Sequence, residues 1–139
     1  MSWNKQELIP VTEITDKVTD VTVDFAERFG KYLAEGDKKN GPIPLTTSQL
    51  RRFFGEVKRQ QMTGYNETDF VMLKPKLAYA VGRAKANEKG KVVKIDDFYY
   101  VIADAIDKVN GCSNKQVAFK NFITFFEAVV AYHKAWEKK

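Results

Sequence analysis

Cysteine is almost missing from this chain: Cys112 stands alone among 139 residues. A disulfide within the chain is therefore impossible, and so is any cysteine-based zinc site with the usual ligand spacing. Histidine is equally scarce. With His133 as the one histidine, no histidine cluster is available for a metal, including the tandem His/Asp sites of helical phosphohydrolases. The glycines at 30, 36, 41, 55, 64, 82, 90 and 111 do not bunch into a phosphate loop or a dinucleotide fingerprint. Ser48 and Ser113 read as helix-cap residues, which leaves no serine nucleophile with a base beside it. No apolar run approaches the ~20 residues needed to cross a bilayer. The start, MSWNKQELIP, lacks the apolar stretch and small-residue cleavage site of a secretory signal. The expectation is a cytoplasmic protein with no membrane association, in which the Asn66-Glu67-Thr68 glycosylation match serves as a helix cap.

One carboxylate group is worth weighing. Asp97, Asp104 and Asp107 approach one another across two helical turns, an arrangement able to hold magnesium, whereas Asp96 and Asp97 also suit a helix N-terminus, where acidic side chains complement the dipole. His133, near the end of a helix, reads as a surface residue complementing the dipole or as a capped core edge. The expectation is a protein that is not an enzyme, with no cofactor and no metal.

What is present is a single domain's worth of apolar residues and an uneven distribution of charge. The hydrophobic content of 44% with 29% charged residues is ordinary for a globular domain. Residues 1–40 carry 6 basic and 8 acidic side chains, residues 41–90 carry 9 and 4, and residues 91–139 carry 8 and 6, so the middle third holds an excess equal to the whole net charge of +5. A local cationic excess is an argument about partners, with nucleic acid first among them.

The apolar spacing is helical throughout. Residues 1–14 lack steady periodicity and read as a flexible arm preceding one domain over 15–139. From about Asp16 to Gly36, the positions Val18, Val21, Phe25, Phe29 and Leu33 recur at three and four residues. The second helix starts at Thr47, because Thr46 and Gln49 have capping-box spacing and Leu45 and Leu50 are placed as a hydrophobic staple. On it Leu50, Phe53, Phe54 and Val57 converge on one side; Arg52 and Arg59 fall opposite, flanked by Arg51 and Lys58. Gly55, inside that basic arc, would let another backbone approach. Beyond the turn at 63–66, Pro75 marks either a new helix starting near Lys74 or a bend. Leu77, Ala80, Val81 and Ala84 form the next inward stripe, and Lys76, Tyr79 and Arg83 share an adjoining arc. A cation–aromatic–cation face can stack an unpaired base between neutralised phosphates; a half-buried Tyr79 and a merely solvated charged face are the plainer alternatives. A fourth helix is expected over Asp96–Val109, a fifth after Ser113, and KVVKI at 91–95 is the one β-like run. The phenylalanines at 53, 54, 122, 125 and 126 read as core. The fold class is all-α, a compact bundle of about five helices.

Three segments, LTTSQLRRFF, LKPKLAYAVGR and FKNFITFFEAVVAYHK, resemble in order and spacing the small subunit of the type III-A CRISPR effector, the Csm complex, over roughly Leu45 to Lys134. The resemblance implies a five-helix bundle, repeated in several copies along the filament of backbone subunits that carries the guide RNA. It implies a non-catalytic wall of the target-RNA channel in antiviral defence. The partners would be target RNA, the guide–target duplex, other Csm subunits and further copies of the chain. Carried over by motif, the RNA-binding positions are Arg51 and Arg52 in the first segment and Lys76, Tyr79 and Arg83 in the second; Lys58 and Arg59 follow, and Lys74 and Lys85 rank lower. Contacts to the sugar-phosphate backbone suit a system in which the guide supplies specificity by base pairing. The readings from other classes are a stand-alone helical DNA-binding regulator, a protein-only scaffold, and a magnesium-dependent nuclease built on the aspartates.

Overall fold

In the computed structural model, which describes Trp3, residues 7–37 and residues 39–137, the long helices are those the apolar periodicity marks out. They are α2 (Asp20–Ala34), α3 (Thr47–Thr63), α5 (Leu73–Asn87), α6 (Ile95–Asn110) and α7 (Lys115–Trp136). Two single-turn helices, α1 (Val11–Thr15) and α4 (Glu67–Val71), complete an all-α bundle. The β-like run contributes one isolated parallel bridge, Ile43 to Val93, closed by Ile43 N–H donating to Val92 O at 2.7 Å and Lys94 N–H donating to Ile43 O at 2.9 Å. That bridge ties the chain entering α3 to the chain entering α6.

The helix boundaries follow from local chemistry. Thr46 caps α3 with both halves of the capping box, Gln49 N–H to Thr46 Oγ1 at 3.1 Å and Thr46 N–H to Gln49 Oε1 at 2.9 Å. Leu45 and Leu50, the expected staple, are both buried. Asn66 caps α4 by accepting from Asp69 N–H at 2.9 Å, the capping role expected of it. Pro75 lies in the first turn of a new helix, α5, where its missing N–H would have had no intrahelical acceptor. The cap of α7 is Asn114 and not Ser113, one residue later than expected, and its side chain accepts from Val117 N–H.

The core is organised around α7. α2 runs along it in the most extensive helix pair of the bundle. The approach is close because Gly30 has no side chain: a Cβ there would lie 2.8 Å from Tyr132 Cβ, 2.9 Å from His133 N and 3.0 Å from Val129 O. On its other side α7 presents Phe126, fully buried, with ring centroids 5.5 Å from Phe53 and from Phe54 on α3 and 5.7 Å from Phe98 on α6. α6 is enclosed on several sides, with Phe98, Val101, Ile102, Ala105, Ile106 and Val109 all buried. Its start is pinned to α2 by two nearly buried side chains. Lys94 donates to Tyr32 O at 2.6 Å, and Tyr32 OH donates to Asp97 at 2.5 Å.

Packing bears on three further expectations. Of the flexible arm placed over residues 1–14, positions 1, 2 and 4–6 lie outside the described residues. The remainder is well packed: Ile9 and Ile14 are fully buried and the Trp3 indole lies against Phe25, Phe29 and Tyr32. Glu13 on α1 accepts from the N–H and hydroxyl groups of both Thr19 and Thr22 at 2.6–3.1 Å, so it caps α2 from outside that helix. Val21 is half exposed and Val18 precedes the helix, because the buried stripe of α2 runs instead through Thr22, Phe25, Ala26, Phe29 and Leu33. Of the two places expected for His133, it takes the capped core edge and not the surface: it is 1% exposed, with Nε2 2.7 Å from Leu45 O.

The glycines give a sharp test of this packing. Gly30→Ala should destabilise the protein by about 1–3 kcal/mol, as overpacking does where backbone cannot move aside. Gly55→Ala, whose Cβ meets nothing within 4 Å, should stabilise by up to about 1 kcal/mol through helix propensity. Thermal melting of the two variants should show shifts of opposite sign.

Candidate nucleic-acid interface

α3 and α5 lean on α7 and α6 and touch each other little, so a cleft of about 510 Å³ opens between them. Its floor is apolar, from Leu45 and Phe53 on the α3 side, Leu77 and Ala84 on α5, and Ile95 and Phe98 on α6. Its rim carries Arg52 from α3 and Lys76, Tyr79 and Arg83 from α5. The spacings of three and four that placed the last three on one arc of α5 therefore aim them at the same opening as Arg52.

Tyr79 is 69% exposed, so the half-buried alternative does not hold. The Arg83 guanidinium lies 5.9 Å from its ring centroid, a weak cation–π contact that leaves the other ring face open. Arg51, Arg52 and Arg83 make no ion pair among the described residues. The other expected cations are engaged. Arg59 and Lys76 share Glu56 at 2.6 and 3.3 Å, and Lys58 turns across to Glu127 of α7 at 3.1 Å. Lys74 and Lys85 lie toward α6, paired with Asp107 at 2.7 Å and Asp96 at 3.4 Å. The seven expected positions thus divide. Arg52, Lys76, Tyr79 and Arg83 line the cleft; Arg51, Lys58 and Arg59 do not.

Glu56 also lines the cleft, and sequence reading missed its importance, although it stands four residues from Arg52 and three from Arg59. Hydrogen bonds from Arg59 first, then from Gln60 and Lys76, outweigh partial burial and hold its pKa down at about 2, against 4.5 for an unperturbed glutamate. A carboxyl lowered in the folded state contributes stability that is full above pH 4.5 and is lost as the pH falls through about 2. Glu56 therefore stays ionised at neutral pH, bridging α3 to α5 at one end of the cleft. Ser48 and Asn87, four residues from Arg52 and Arg83, extend the polar lining. Ser48 is in the first turn of α3; the cap itself is Thr46. Gly55 meets no other backbone.

The aspartates are spread over separate structural tasks: Asp97 receives Tyr32 OH, Asp104 pairs with Lys108 and Asp107 with Lys74. No group of three or more potential metal ligands occurs among the described residues, and none of their helices is long and apolar enough to cross a membrane.

Glu56→Gln tests the electrostatics of the cleft. Removing this one acid frees Arg59 and Lys76 and takes a negative charge from beside the rim. Any binding of single-stranded RNA at this candidate surface, read by fluorescence anisotropy, should tighten, while the melting temperature at pH 7 should fall slightly through loss of the bridge.

A family model described as Csm2 Type III-A matches residues 16–139. No curated protein and no solved structure matches the chain.

Proposed function

The chain belongs to the Csm2 Type III-A family, the small subunit of the type III-A CRISPR Csm complex, and from that premise we propose that it is a non-catalytic RNA-binding wall of the target channel. It works with other subunits and with further copies of itself, in cytoplasmic antiviral defence. The observation that carries this reading is the cleft between α3 and α5, where Arg52, Lys76, Tyr79 and Arg83 meet and two of the three cations have no acidic partner among the described residues.

The chemistry fits a single strand whose sequence is not read. Guanidinium groups address phosphate oxygens bidentately, and an exposed tyrosine face stacks on any base. Neither discriminates among nucleotides, which suits a complex whose guide RNA already reads the sequence. A single copy with so few contacts binds weakly, in the ~10⁻⁴ to 10⁻⁶ M range of non-specific association at physiological salt. Copies arrayed along one strand raise the effective concentration for each successive contact, so assembly converts weak modules into firm capture.

Arg52→Ala combined with Arg83→Ala is the direct test. Both side chains are exposed, so thermal melting should be unchanged. Affinity for single-stranded RNA should fall, and the slope of log affinity against log salt should flatten by about 1.4, or ~0.7 for each lost phosphate contact. Unaltered affinity and slope would remove the cleft from consideration, and a preference for one duplex DNA sequence would favour a DNA-binding regulator instead.

A further inference from the structure

We propose that the end of the α3–α5 cleft at Gln49 and Asn87 is a pocket for one unpaired nucleobase, whose flanking phosphates stay on Arg52 and Arg83. The inference rests on the RNA-binding reading and adds an uncharged half to that site. Gln49 and Asn87 line the cleft, and with Ala84 and Ile95 they also line a smaller hollow of about 180 Å³ beside it. Pockets that enclose a whole drug-sized molecule run from ~300 to 1,000 Å³. The hollow has room for a ring system, so sugar and phosphate remain in the wider cleft.

Charge divides the cleft along its length. Arg52 stands three residues from Gln49 and Arg83 four from Asn87, about 4.5 and 6 Å along their helices. A nucleotide covers such a step from phosphate to base. Beyond the arginines the sign changes: among the described residues the lining of the hollow has no cation and one carboxylate, Glu88, which pairs with Lys91 at 3.9 Å. A phosphate is disfavoured there, whereas an uncharged ring bearing amino and carbonyl groups is not.

The polar groups at this end suit the edge of a base. Gln49 Oε1 accepts from Thr46 N–H at 2.9 Å, which fixes the amide and leaves its NH2 group without an acceptor among the described residues. The Asn87 amide makes no hydrogen bond among them. Both side chains can be reached from solvent, since Gln49 is half-buried and Asn87 exposed. Every base has an acceptor on its pairing edge for Gln49, and Asn87 supplies a donor or an acceptor according to its rotamer. No letter is selected. A base already in a Watson–Crick pair has no free edge to offer, so the pocket takes a strand with an unpaired nucleotide and refuses a continuous duplex.

Side-chain amide resonances of the whole protein in ¹H–¹⁵N NMR read the two contacts directly. Short single-stranded RNA of mixed sequence should move the NH2 signals of Gln49 and Asn87. A strand of the same length and charge, built of abasic tetrahydrofuran units, should bind more weakly and leave both signals in place. Loss of the bases also removes stacking on Tyr79, so a variant isolates the pocket. Asn87→Ala, at the exposed last residue of α5, should keep the melting temperature and weaken RNA binding about three- to tenfold, the scale of one hydrogen bond. It should leave the abasic strand's affinity and the salt slope unchanged, because no phosphate contact is lost. The proposal is overturned if the abasic strand moves both amides as RNA does, or if Asn87→Ala weakens the two strands equally. Movement of the amides with protein concentration alone overturns it too, since the pocket would then belong to a second copy. In any of these cases, RNA binding that is lost in Arg52→Ala with Arg83→Ala leaves the channel reading standing; no binding of either strand removes both.

Discussion

One aromatic ring sets the geometry of the molecule. Phe126 of α7 lies within 6.0 Å, centroid to centroid, of Phe53, Phe54, Phe98 and Phe122, so one side chain positions α3 and α6 against the central helix at once. Pairs of this kind contribute about 0.5–1.5 kcal/mol beyond the burial of their area. The consequence for the site is direct. α3 is held to α7, α5 is held to α6, and little holds α3 to α5. The cleft is the space left between two helices hung on different supports, and Phe53 and Phe98, two partners of Phe126, form part of its floor. The core thus builds the floor of the cleft without contributing a charged group to it.

The rim needs a different balance. Arg52, Lys76 and Arg83 on the rim, with Arg59 beside it, would repel one another with nothing between them, and Glu56, paired with Arg59 and Lys76, is the acid that relieves this. Its pairs are at the surface, where such bonds contribute at most about 1 kcal/mol and are screened over ~8 Å at physiological salt. A pair that weak is one a phosphate could displace, so on the proposed reading Lys76 bridges α3 to α5 and is still available to RNA.

What was legible in the sequence was local. The capping box at Thr46, the cap at Asn66 and the first-turn Pro75 each depend on residues within four positions, and the five long helices follow from apolar spacing. The same spacing identified Lys76, Tyr79 and Arg83 as sharing a face. It did not show that Arg52 would stand across the opening from them, because periodicity orders residues on one helix and is silent on which helix that face meets. The misses have the same origin. α1 has five residues, too few to show a period, and its Glu13 caps a helix from outside. Lys58 meets Glu127 at a separation of 69 residues, and His133 meets Leu45 at 88, distances at which composition and spacing carry no signal. Val21 was placed inward on a stripe extrapolated from residues before α2 begins, and the true stripe passes through Thr22, an apolar gap filled by a hydroxyl bonded to Glu13.

The middle third also divides most of its cations by type, Lys89 excepted, which makes no ion pair among the described residues. Lys58, Lys74, Lys76 and Lys85 each pair with an acid on another helix: Glu127, Asp107, Glu56 and Asp96. Among the described residues Arg51, Arg52 and Arg83 form no such pair, and Arg59 pairs only within its own helix. The physical difference between the side chains accounts for the value of this arrangement. A lysine ammonium is a compact point charge on a flexible stem and bridges helices at varied angles, whereas a guanidinium is a planar fork matched to the two oxygens of a phosphate. Lysines that cross-link the bundle and arginines left facing outward would let one excess of positive charge serve both stability and the proposed recognition of RNA. An arginine-for-lysine exchange in either set is therefore not a neutral change, even though the net charge of +5 would be the same.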